Sequence, residues 1–324
     1  MIAPSQFDAS CELATIPSPD PGEGEGGGKS PVTIETTSRK RAGGAPRWLT
    51  PLLMAPSALW FLFLLVFPLC VVVVYSFGER AQTGGYQAAF TFANYENIPA
   101  RLTAFKNTLM LAPAGTLICL FAGYPLAYYL AVKVRPKNRL LLLILVIVPF
   151  WTSFLIRTYA WMFILGSRGL PSLLEWFGMP HIQMINTQAA VLTGIVYGYL
   201  PLMVFPIYVS LEKLDKRLLE ASDDLGATPF GTFRQVTLPL SAPGVITGCM
   251  LVFILLMGEY LIPQMLGGGK VFFIGNALVD LFLQSLNWPF GSACAMGLVI
   301  IMLVTVSAYL KATRSSGQRD VSLM

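Results

Sequence analysis

Residues 220–239 read EASDDLGATPFGTFRQVTLP, a polar interval between strongly apolar stretches that still carries the marks of folded structure. Ahead of it, SLEKLDKRLLEASDD (210–224) places Leu211, Leu214, Leu218 and Ala221 at three- and four-residue steps among strong helix formers, which predicts an amphipathic helix. Gly226 then ends the helix, because glycine takes positive φ at a helix C-terminus without a Cβ penalty. Thr228-Pro229 restarts a short helix with proline in its first turn, and Leu238-Pro239 is expected to stop it. The product is a helix-turn-helix knuckle. Five acidic and four basic residues lie between Glu212 and Arg234, with Leu and Val on one side, a composition suited to docking into a groove on a partner.

Working outward, 55% of the 324 residues are hydrophobic and only 12% are charged, which places the chain among polytopic membrane proteins. The net charge of +5 does not indicate nucleic-acid binding, since the basic residues flank apolar spans. Cys11, Cys70, Cys119, Cys249 and Cys294 fall singly, in neither a disulfide framework nor a metal-ligand spacing.

Six intervals are long and apolar enough to cross a bilayer: 47–79, then about 107–132, 140–165, 188–210, 240–262 and 289–310. The expected fold is all-α, with six transmembrane helices. If the N-terminus is cytoplasmic, the inner segments collect sixteen Lys and Arg and the outer segments only Arg80, Arg101, Lys106, Arg168 and Lys270. This positive-inside bias puts the Glu220 loop and both termini in the cytoplasm. Residues 1–46 are rich in Gly, Pro, Ser and Glu and are expected to form a disordered cytoplasmic tail, with no cleavable signal peptide. Within that tail GEGEGGGKS is no phosphate-binding loop, because Glu23 stands where the pattern needs glycine and neither strand nor helix flanks it. Residues 47–312 form the transmembrane domain, with the knuckle in the loop 211–239, and 313–324 a short cytoplasmic tail. Of the outer segments, 166–187 contains a short amphipathic piece. The apolar stretch 271–288 is interrupted at Asp280 and reads as an interfacial or re-entrant helix.

Glu220-Ala221-Ser222, then Gly226, then Val236-Thr237-Leu238-Pro239 resembles the EAA…G…I.LP signature of the membrane permease subunits of bacterial ABC importers. Ser222 replaces a usual alanine and Val236 a usual isoleucine, both mild departures. The resemblance implies that this loop holds the coupling helix that docks on an ATPase subunit, with Glu220, Ala221, Ser222, Gly226, Val236, Leu238 and Pro239 as the coupling residues. Four further stretches, PFWTSFLIRTYAW, VYGYLPLMVFPIYVSLEKLD, GEYLIPQMLGGG and NWPFGSA, look like the spermidine/putrescine group of these permeases, over roughly residues 48–312. That implies a bacterial inner-membrane subunit working with an ABC ATPase dimer, a second and different permease chain and a periplasmic solute-binding protein. No cofactor is expected on this chain, with ATP and Mg on the ATPase subunit. Permeases for 4-aminobutyrate, opine and amino-acid-like solutes share much of the pattern.

No catalytic constellation appears, and the single histidine, His181, reads as a surface residue of an outer loop. Charges at membrane depth are costly and are functional candidates by default. Arg157 lies within the third span, as a substrate contact, an ion pair or a snorkelling side chain. Glu259, at the end of the fifth span beside Tyr260, is expected to turn toward a vestibule, and Asp280 follows in the outer segment. Trp161, Tyr197 and Tyr199 are aromatic candidates for holding an organic cation. An ion-coupled secondary transporter or a channel would need discontinuous helices or coupling residues near the midplane, of which Arg157 is the one sign.

Overall fold

The computed structural model describes residues 49–178, 180 and 182–321. The predicted tail 1–46 and His181 lie outside them. The chain divides into Met1–Pro56, in which the described part is helical from Leu49, and Ser57–Met324, which carries the features discussed here. The helices are α1 (Met54–Ser76), α2 (Ile98–Lys133), α3 (Pro136–Trp151), α4 (Phe154–Leu165), α5 (Leu170–Trp176), α6 (Gln188–Glu212), α7 (Lys216–Asp224), α8 (Pro229–Met257), α9 (Leu261–Leu266), α10 (Ile274–Gln284) and α11 (Trp288–Val321). A minimal antiparallel hairpin follows α1, pairing Glu79 with Gln87 and Arg80 with Tyr86.

Among the described residues five helices, α1, α2, α6, α8 and α11, are long and apolar enough to cross a membrane. The sixth predicted span departs from expectation: α3 and the helical run after it meet at an 88° bend between Trp151 and Phe154. Thr152 and Ser153 there adopt extended backbone, and the Thr152 hydroxyl donates to the Pro149 carbonyl at 2.7 Å. The interval is therefore a broken span. The predicted outer pieces are present as α5 and α10, but Asp280 does not interrupt α10, which passes through it by a π-turn at Asp280–Gln284.

The knuckle helix is also divided. Instead of running on from Leu211, α6 ends at Glu212, and Asp215 opens α7 by accepting the Arg217 amide at 3.0 Å. Pro239 does not end a helix either, since Pro229–Met257 is continuous. A proline ring clashes with the carbonyl four residues back, here that of Gln235, and a π-turn at Phe233–Thr237 widens the helix around that carbonyl. The same device recurs in α1, where a π-turn at Leu62–Val66 encloses Leu64, four residues before Pro68.

The core is a three-helix contact of α2, α6 and α8, whose side chains Cys119, Ile195, Met203, Val252 and Leu256 are fully buried. Small residues bring the backbones together. Gly244 and Gly248 share one face of α8, and a Cβ on Gly244 would stand 2.5 Å from the Pro206 carbonyl oxygen and from Ser210 Cβ of α6. In lipid, where apolar side chains gain little by leaving their surroundings, such close packing drives helix association. α11 packs along the second half of α1, while the hairpin and α2 are tied to the α10 region. Arg80 donates to the Ser285 carbonyl at 2.7 Å, Gly85 N–H to the Leu286 carbonyl at 2.7 Å, and Arg101 pairs with Asp280 at 2.9 Å.

Candidate functional site

The knuckle is built from local turn chemistry. At the end of α7, Gly226 has φ +78°, its N–H donates to the Asp223 carbonyl at 2.9 Å, and the Ala227 N–H donates to the Ser222 carbonyl at 3.1 Å. Thr228 then caps α8, accepting the Gly231 amide at 3.2 Å ahead of Pro229. Ser222 and Thr232 share a hydrogen bond across the turn at 3.0 Å, and Thr232 also donates to Asp223 at 3.4 Å. Ser222 at the signature's third position thus fastens α7 to α8, a contact that alanine could not make. Sequence reasoning missed Thr232, although its place three residues after Pro229, facing back across a tight turn, was the available signal.

Glu220 and Ala221 are exposed, Val236 is half-buried inside the π-turn, and Leu238 and Pro239 lie on the outside of α8. The tip is apolar and bare, with Leu225 at 89% and Phe230 at 71% exposure and Leu218 also exposed. Beneath α7, Glu220 and Asp223 line a small cavity with Arg139 and Glu212. Arg139 pairs with Glu212 at 3.3 Å, donates to the Ala131 carbonyl at 2.8 Å, and so links the root of the knuckle to the ends of α2 and α3. Tyr208 adds a hydrogen bond to Glu212 at 2.9 Å. These contacts tie the ends of α2, α3 and α6 together beneath α7.

The residues singled out as a substrate path separate into groups. Glu259 does not face a vestibule. It is buried, one carboxylate oxygen accepts the Tyr199 hydroxyl, and the other accepts the amides of Leu261 at 2.8 Å and Ile262 at 3.2 Å. Glycine at 258 and the free amides at the start of α9 draw the carboxylate inward, so that it joins α8, α9 and α6. Tyr260 points outward, and its carbonyl accepts Asn276 Nδ2 at 2.7 Å. Trp161 and Tyr197 form a T-shaped pair with centroids 5.5 Å apart, with Tyr197 partly exposed. Asp280 stands apart, neutralised by Arg101.

Arg157 is buried just past the break of the third span, its guanidinium over the rings of Phe150 and Phe154 at 5.3 and 5.5 Å. With Tyr199, Leu202 and Leu255 these residues line a cavity of about 340 Å³. The structure thus assembles Arg157, Tyr199 and Glu259 in sequence, the first two sharing a cavity and the last two a hydrogen bond.

A broken-span helical bundle with a capped knuckle outside the apolar core is the architecture of a polytopic membrane protein. Residues 123–315 match the family described as binding-protein-dependent transport system inner membrane component. The chain belongs to that family and is a multi-pass inner-membrane transport protein. It is 42% identical over 260 residues to the spermidine/putrescine transport system permease protein PotB of Haemophilus influenzae, covering 79% of this chain and 91% of the relative. PotB of Escherichia coli is 40% identical over the same length, covering 79% and 94%. A crystallised bacterial ABC transporter that imports alginate has a chain with TM-score 0.67 at 17% identity, covering 83% of this chain and 96% of that one, which shows a shared fold.

Proposed function

We propose that this chain is one of two permease subunits of an ATP-driven importer for polyamines of the spermidine and putrescine type. The observation that carries the coupling role is the knuckle: a turn fixed by Gly226 and fastened by Ser222 and Thr232, presenting Leu225 and Phe230 to a partner. The solute class rests on relatives whose names specify spermidine and putrescine, at about two-fifths identity over four-fifths of the chain. In this reading ATP and Mg bind the separate ATPase subunits, whose closure moves the knuckle as a lever on α2, α3 and α6. A periplasmic protein delivers the solute, and a second, different permease chain completes the path. In this reading the knuckle and both termini are cytoplasmic, which the charge asymmetry of the loops supports. Arg157 favours a second reading, a zwitterionic solute such as 4-aminobutyrate or an opine, whose carboxylate would meet the guanidinium.

The test is the ligand of the binding protein encoded beside this chain. Purified and titrated by calorimetry, it is expected to bind spermidine or putrescine and to ignore 4-aminobutyrate. The opposite preference would replace the polyamine reading with the zwitterion reading.

A further inference from the structure

Arg157 carries a charge that no ion pair among the described residues balances. It is 9% exposed, its Nε is buried without a hydrogen-bond partner, and no carboxylate of the described residues lies within ion-pair distance of its guanidinium. The two aromatic faces beside it attract a cation but leave its charge in place. Glu259, although buried, makes no ion pair with Arg157, and its oxygens accept instead from the Tyr199 hydroxyl and the amides of Leu261 and Ile262. The Thr152 and Tyr199 hydroxyls donate to the Pro149 carbonyl and to Glu259, and, being neutral, neither offsets the guanidinium charge.

The backbone adds to the positive field. α4 starts at the 88° break, Ser153 provides no side-chain cap, and the first amide bonded within the turn is that of Arg157, which donates to the Ser153 carbonyl at 3.2 Å. The amides of Phe154, Leu155 and Ile156 therefore precede the first helical bond, at the positive end of the helix dipole. A half-helix N-terminus beside an unpaired buried arginine, walled by Phe150, Phe154, Leu202 and Leu255, is a receptor for a carboxylate.

Spermidine and putrescine carry only ammonium groups and cannot fill it. We propose that an Asp or Glu side chain of the second permease chain occupies the Arg157 cavity in the assembled transporter. This rests on the two-permease reading above. The rim fits such a contact, since Trp151 and Ile156, at 83% and 66% exposure, flank the break and offer apolar cover around a buried charge.

The experiment uses the complete transporter in nanodiscs, with a photo-crosslinking residue at Thr152 in the otherwise native chain. The expected product joins position 152 to the second permease chain next to an Asp or Glu. Arg157→Glu is expected to weaken recovery of that chain on the order of a hundredfold, the scale on which breaking one side of a buried ion pair acts. Replacing the crosslinked acid with arginine should restore recovery in the Arg157→Glu background. Crosslinks confined to lipid or to this chain would overturn the proposal, as would undiminished recovery and uptake with Arg157→Gln. If Arg157 variants fail to insert, the crosslink made with Arg157 in place decides. Arg157-dependent uptake of 4-aminobutyrate that blocks the crosslink would assign the cavity to solute instead. Should spermidine not be transported while crosslink and charge swap stand, the polyamine reading alone falls.

Discussion

Substituting Gly226 isolates the backbone contribution to the knuckle. Its φ of +78° lies in the left-handed region, and a Cβ added there would meet nothing within 4 Å, so a side chain adds conformational strain without a clash. For an ordinary L-residue that strain is about 1–2 kcal/mol. If the ATPase subunit recognises the turned knuckle, the strain appears as a loss of docking affinity, a factor of about 5–30. Asparagine, which visits this region more readily, should lose less, and β-branched valine more. The assay is titration of the ATPase subunit onto transporter in nanodiscs, with glycine, asparagine, alanine and valine at position 226. Affinity falling in that order, with membrane insertion unchanged, is the expected result. Equal affinity across the four, or asparagine as weak as valine, would refute the claim that the turn conformation is what the partner reads.

Gly244→Leu should disrupt the contact of α8 with α6, because even the first carbon would stand 2.5 Å from the Pro206 carbonyl oxygen; overpacking of this kind costs about 1–3 kcal/mol or more and is read as a lowered melting temperature in detergent. Tyr199→Phe leaves one Glu259 oxygen without its hydroxyl donor, a loss of about 1–3 kcal/mol in a buried setting, and thermal unfolding with Glu259→Gln and the double variant should show that the two losses do not add. Single cysteines introduced into a cysteine-free chain should label from the outer side at position 87 and not at position 231; the reverse pattern would invert the topology.

Features governed by neighbouring residues could be read from sequence. Gly226, Thr228 and Pro229 announce their turn and cap because the chemistry lies within a few positions, and the structure uses each as expected. The apolar spans were likewise legible from length and composition. Pro239 misled because a proline normally ends a helix, whereas a π-turn at Phe233–Thr237 absorbs the clash and the span continues. The break at Thr152 and Ser153 had only a faint sign, two hydroxyl residues after Pro149 in an otherwise apolar run. Arg157 could be flagged as anomalous, but not its cavity, which needs Tyr199 and Leu255 from other spans. Glu259 turned inward for a reason no local pattern carries, since Tyr199 lies 60 positions away, and Asp280 found Arg101 across 179.

The central claim, that this chain conducts polyamines under the power of a separate ATPase, is tested most directly by radiolabelled spermidine and putrescine uptake. Proteoliposomes holding both permease chains and the ATPase, with binding protein on the loading side, are supplied with ATP and Mg in turn with an imposed ion gradient. The account predicts uptake that requires ATP, the ATPase subunit and the binding protein, and that is lost with Gly226→Val while the complex still inserts. Uptake driven by the ion gradient without the ATPase subunit, or no polyamine uptake by the intact system, would contradict it.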